Sequence, residues 1–136
     1  MKLDLECVRD ILITLEQQSD FVRLSTHDLS LLLPQYSLNQ IIYTCWRLYE
    51  GGYINLFLFY PPTNSSDPII RCIGDLTFQG HEFLADIKPK SNWERLSYAF
   101  KQGSSASFKT IANVAIDLGT EALKIKLGLV TKKACF

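Results

Sequence analysis

Four cysteines (Cys7, Cys45, Cys72 and Cys135) and two histidines (His27 and His81) are the side chains best suited to act as nucleophiles or metal ligands. No two of the cysteines stand at the close spacing of a zinc knuckle, and two histidines do not complete a ligand set. His81-Glu82 starts like a zinc-protease helix, but position 85 is Ala where the second histidine is needed. The chain has no Walker loop, no dinucleotide glycine pattern and no Gly-x-Ser-x-Gly elbow. Cys7, Cys45 and Cys72 lie among apolar residues and read as small core residues of a reducing compartment, with Cys135 a free thiol beside the C-terminus. The expectation is a non-enzymatic protein without metal or cofactor.

Asn39, Gln40, Tyr43 and Arg47 offer a different chemistry. Asn and Gln match the edge of adenine, and Arg matches guanine or a phosphate. Any amphipathic helix also turns such a polar set to water. The charge map weighs against nucleic acid. The chain of 136 residues has 14 basic and 14 acidic side chains, a net charge of zero. Residues 1–88 hold six basic and eleven acidic residues, net −5, and residues 89–136 hold eight and three, net +5. Phosphate neutralisation supplies much of protein–DNA affinity, so an acidic head starts at a disadvantage. The opposed halves are suited to pairing with each other, within one chain or between two.

The elements that must position these residues are legible. Leu5, Val8, Leu12 and Leu15 recur at helical spacing behind Asp4, a suitable N-cap, and predict a helix from about Asp4 to Gln18. Phe21 to Leu24 reads as a short strand. Ser25-Thr26-His27-Asp28 and Ser37-Leu38-Asn39-Gln40 are capping-box patterns that open a second and a third helix, separated by a turn at Pro34. Leu38, Ile41, Ile42, Cys45, Leu48 and Tyr49 are expected to form the buried stripe of the third helix, which Gly51-Gly52 ends. Tyr53–Tyr60 and Ile69–Ile73 read as an antiparallel hairpin around a turn-rich tip at 61–68. Phe57, Phe59 and Tyr60 are candidates for a partner surface, because both faces of that strand are apolar.

A further helix is expected over 75–87 and another from a third capping box at Ser91-Asn92-Trp93-Glu94 through about Phe100. After a Ser-rich linker, a last helix is expected from about Phe108 to Leu127. Its apolar face is wide, and Phe108, Ile111, Ala115, Leu118, Gly119 and Ala122 are candidates for a homodimer contact or for packing on the same chain. The late apolar segment is broken by charges, so no membrane span is expected, and the chain is read as cytoplasmic.

The order helix, strand, helix, helix, strand, wing, strand, helix predicts a mostly helical α+β fold. It is the order of a winged helix-turn-helix domain, placed at 1–88, with a helical extension over 89–136. Leu76-Thr77-Phe78-Gln79-Gly80-His81-Glu82-Phe83-Leu84 resembles the segment that follows the wing in many winged-helix proteins. The opening Met1–Leu12, the Gly80–Ile87 stretch with Trp93 after it, and the ending Gly103–Phe108 resemble a family of small bacterial and phage or prophage proteins catalogued as a domain of unknown function. That resemblance implies a winged-helix fold and a mobile-element setting, and brings no catalytic residues. Two functions follow as expectations: a regulatory module that binds a host or phage protein, and a dimeric DNA-binding regulator that uses the 37–50 helix.

Overall fold

The computed structural model of the chain describes residues 1–19, 23–62 and 67–103. These form five helices and one two-stranded antiparallel sheet, a mostly helical α+β arrangement. Two compact units divide the chain, the first being Met1–His81 and the second opening at Glu82. Sequence placed the change of character at residue 88.

In the first unit, α1 (Leu5–Glu16) is capped by Asp4, whose Oδ1 accepts the Glu6 amide at 2.9 Å. Its buried face is Leu5, Cys7, Val8, Ile11 and Leu12. Of the strand expected at 21–24, residues 21 and 22 lie outside the described residues, and Leu24 forms a bridge to Ile73. The capping box of α2 (Thr26–Leu32) is complete: Ser25 Oγ accepts the Asp28 amide at 3.0 Å, and the Asp28 carboxylate accepts the Ser25 amide at 3.1 Å. The Ser25 amide, and after it the Ser25 hydroxyl, hold the Asp28 carboxyl below the usual carboxylate range. Tyr36 in the following turn donates its hydroxyl to Asp10 of α1 at 2.6 Å.

Helix α3 (Leu38–Glu50) starts at Ser37, whose Oγ accepts the Gln40 amide at 3.1 Å. Gly51 closes it, and Gly52 takes φ +81°, a conformation that favours glycine. Strand β1 (Ile54–Phe59) then pairs with β2 (Ile69–Leu76). Ile54, Leu56, Ile73 and Leu76 face the core, while Phe57 opposes Cys72 and Phe59 opposes Ile69 across the ladder. Between Ile54 and Phe59 the register slips twice, and both extra residues fall in β2. The bulges bend β2 and leave β1 regular.

Helix α4 (Phe78–Ile87) begins three residues later than the apolar pattern suggested, because Asp75 and Leu76 are the end of β2, with Leu76 paired to Ile54. The Leu-Thr-x-x-Gly segment has a local explanation. Thr77 Oγ1 donates to the Gly52 carbonyl and accepts the Gly80 amide, and the Thr77 amide donates to the Tyr53 carbonyl at 3.0 Å. A Cβ on Gly80 would lie 2.0 Å from that same Tyr53 oxygen, so only glycine fits there.

In the second unit Phe83, Leu84, Ile87 and Leu96 are buried. Helix α5 spans Lys90–Gly103. The Trp93 amide bonds to the Pro89 carbonyl at 2.9 Å, so this helix starts before Ser91 and the capping box expected there does not set its beginning. Asn92 is buried instead, its Nδ2 donating to the Asp86 carbonyl at 2.9 Å. The helix expected at 108–127 lies outside the described residues, and with it Phe108, Ile111, Ala115, Leu118, Gly119 and Ala122. No described helix is long and apolar enough to cross a membrane.

Candidate functional site: the outward face of α3

Helix α3 buries Ile41, Thr44, Cys45 and Leu48. The buried stripe is therefore rotated from the one expected. Leu38 is 41% exposed, Tyr49 is 38% exposed, and Ile42 is half-buried. Thr44 takes a core position because its hydroxyl donates to the Gln40 carbonyl at 2.7 Å, which removes the cost of burying it. With Thr44 inside, Leu38 and Tyr49 are exposed and Ile42 and Trp46 half-buried, at intervals of four, four and three residues. That spacing lines them along one ridge. Trp46 and Tyr49 stack edge to face with centroids 6.1 Å apart, which fixes both rings.

The polar set sorts unevenly. Asn39 is exposed. Gln40 turns inward, and its Nε2 donates to Asp4 Oδ2 at 3.1 Å. One Asp4 carboxylate thus caps α1 through one oxygen and ties α3 to it through the other. The glutamine is used for this strut rather than for the second half of its capping box. Arg47 is exposed, pairs with Glu50 at 2.8 Å, and lies over the Tyr43 ring, 5.1 Å from its centroid. An exposed pair of this kind contributes about 0–1 kcal/mol, yet it leaves the local charge near zero.

The interior behind this face is sealed. Burial pushes the Cys45 thiol up to about 12 and the Cys7 thiol up to about 11. Burial, and then the hydrogen bond to Asp10, raise the Tyr36 hydroxyl well above the ordinary phenol range. These groups are held protonated at neutral pH and serve packing. Among the described residues no group of three or more His, Cys, Asp or Glu is placed to hold a metal ion. A shallow cleft of about 390 Å³ is lined by Leu15, Glu16, Gln18, Asp75, Leu76 and His81, with Asp75 engaged by Arg23 at 3.0 Å.

On the hairpin, Phe57 and Phe59 are 46% and 44% exposed, and Tyr60 is exposed beside them. Arg23 lies 5.2 Å from the Phe57 ring centroid while it pairs with Asp75. The first unit therefore displays two aromatic surfaces, one on α3 and one on the hairpin. Sequence reading found the second and missed the first. The signal for the first was Trp46 itself, since Leu38, Ile42 and Trp46 share one i, i+4 row.

These features define a small α+β protein with two exposed aromatic faces and a tightly bonded interior. The chain belongs to the family described as hypothetical protein (DUF2513), a domain of unknown function, whose model matches residues 2–107. No curated protein and no solved structure matches it.

Proposed function

We propose that the first unit is a winged helix, with α2 and α3 as its helix-turn-helix and the β1–β2 hairpin as its wing, and that it acts without catalysis by binding a protein partner. The setting we propose is phage or prophage regulation, with a host or phage protein as the partner. The ridge of Leu38, Ile42, Trp46 and Tyr49 carries this reading. In a helix-turn-helix protein the second helix is the one that enters the major groove, where polar and basic side chains read bases and phosphates. On α3 that position is taken by apolar and aromatic residues, the composition that supplies protein–protein hot spots. Gln40 is withdrawn to Asp4, and Arg47 is balanced by Glu50.

The competing reading is a dimeric DNA-binding regulator. Its support is the exposure of Asn39 and Arg47, the two exposed members of the polar set. One experiment separates the two. A photo-cross-linking phenylalanine analogue replaces Tyr49 in the full chain, expressed in its native host. A discrete protein adduct is expected, and it is expected to vanish when Ile42→Asp is added. In parallel, the purified chain is offered a random duplex pool at about 50 mM salt, where phosphate contacts are strong. Selection of a duplex sequence, with binding lost in Asn39→Ala and Arg47→Ala, would replace the protein-partner reading with the DNA one.

A further inference from the structure

We propose that α3 is a rotational switch: it has two settings on α1, and the Gln40–Asp4 strut holds the one that offers the ridge to a partner. The first observation is a mismatch between the helix and its packing. The most apolar side of α3 is Leu38, Ile41, Ile42, Cys45, Leu48 and Tyr49. The side that is buried is Ile41, Thr44, Cys45 and Leu48. At about 100° per residue the two stripes are centred roughly 50° apart. Ile41, Cys45 and Leu48 belong to both, so a turn of that size keeps the middle of the contact. It brings Leu38, Ile42 and Tyr49 inward and carries Thr44 and Gln40 outward. Burial of apolar surface favours that second setting, and the observed one holds against it. Local preference and tertiary packing normally agree, and conflicts between them mark functional elements.

The second observation is what holds the observed setting. Gln40 Nε2 donates to Asp4 Oδ2 at 3.1 Å, and the Cys7 and Thr44 side chains share a hydrogen bond. Both bonds need this side of α3 turned to α1. A thiol is a weak hydrogen-bonding partner, so the bond to the carboxylate is the stronger tie. The bond that lets Thr44 sit in the core, to the Gln40 carbonyl at 2.7 Å, lies within α3 and travels with the helix. Thr44 therefore keeps that bond whether it faces the core or water. Gly51 and Gly52 at the C-terminal end of α3 can absorb the turn. The switch rests on the reading of α3 as a partner surface, which it regulates: with the strut released, the ridge is withdrawn.

The test is hydroxyl-radical footprinting of the full chain, read residue by residue, with no partner present. Gln40→Met removes the donor and keeps the length of the side chain. Oxidation of Leu38 and Tyr49 is expected to fall by about half or more as the ridge turns inward, while Cys45, buried in both settings, stays closed to alkylation. Adding Thr44→Val, which makes the observed side more apolar, is expected to restore the oxidation. Unchanged oxidation in Gln40→Met with Cys45 closed overturns the switch, and so does oxidation that stays low after Thr44→Val. Where Gln40→Met opens Cys45, Asp4→Ser decides by the same readings, since serine still caps α1 and is too short to reach Gln40. Opening of Cys45 in both variants overturns the switch, because the strut then holds the fold and not a rotation. The footprint is independent of the cross-link at Tyr49. An adduct in the wild type with an unchanged footprint in Gln40→Met removes the switch and keeps the partner reading. A changed footprint without an adduct keeps the rotation and removes the partner.

Discussion

Helix α3 and the β1–β2 hairpin both expose aromatic residues, but they expose different things along with them. The backbone of α3 is satisfied within the helix, so its outer side can be recognised only through side chains. The hairpin adds a strand edge whose own polar groups look outward. The two also differ in what lies behind them. Leu48 and Cys45 of α3 are fully buried and the helix is tied to α1 by the Gln40–Asp4 bond, whereas Cys72 of β2 is half-buried in a two-stranded sheet. Stability is therefore concentrated behind α3, while the hairpin displays surface with less beneath it.

The widest gap is expected in thiol chemistry. With its pKa pushed to about 12, Cys45 holds about a thousandfold less thiolate at pH 8 than a free thiol near 8.5. Alkylation at pH 8 followed by peptide mapping should label Cys72 early and leave Cys45 and Cys7 untouched until the protein unfolds. Early labelling of Cys45 would show that the α3 interior opens as readily as the hairpin.

Within α3, the inner and outer sides should differ next most. Leu48→Ala is expected to cost about 2–5 kcal/mol in denaturant melts, since it leaves a cavity. Trp46→Ser, on the outer side, should stay near or below about 1 kcal/mol, the scale of a substitution away from the core. Equal losses would mean that Trp46 belongs to the core rather than to a recognition surface. Tyr36→Phe should remove about 1.5–3 kcal/mol, the scale of a hydrogen bond to a charged acceptor, because it leaves Asp10 without its shortest bond. The Tyr36 pKa is raised on folding, so its contribution is fully present below the ordinary phenol range and is lost only at higher, strongly alkaline pH. The smallest effect is expected at the start of α3, where Ser37→Ala should cost about 1 kcal/mol by freeing the Gln40 amide. A larger loss would indicate that the cap also holds the Gln40–Asp4 strut.

Much of the fold was legible because its boundaries are written in local chemistry. Asp4, Ser25 and Ser37 open their helices, and Gly51-Gly52 closes α3 before the aromatic strand. Ser91 misled for the same local reason: its pattern is a good cap, but the Pro89 carbonyl already receives a helical bond. The site was only partly legible. Phe57 and Phe59 stood out because a strand has two faces and both were apolar. The α3 ridge did not, since apolar residues surround most of that helix and periodicity alone does not choose among overlapping stripes.

The sequence by itself determined where α1, α2 and α3 begin, that the hairpin follows α3, and that charge divides into an acidic first part and a basic second part. Only the tertiary structure decided which side of α3 faces water. Thr44 could enter the core because its hydroxyl found the Gln40 carbonyl, and Gln40 could leave the polar face because Asp4 lay within reach. The Thr44 bond lies within α3, but the Gln40–Asp4 bond depends on how α1 and α3 pack, a relation between distant residues that no local pattern contains.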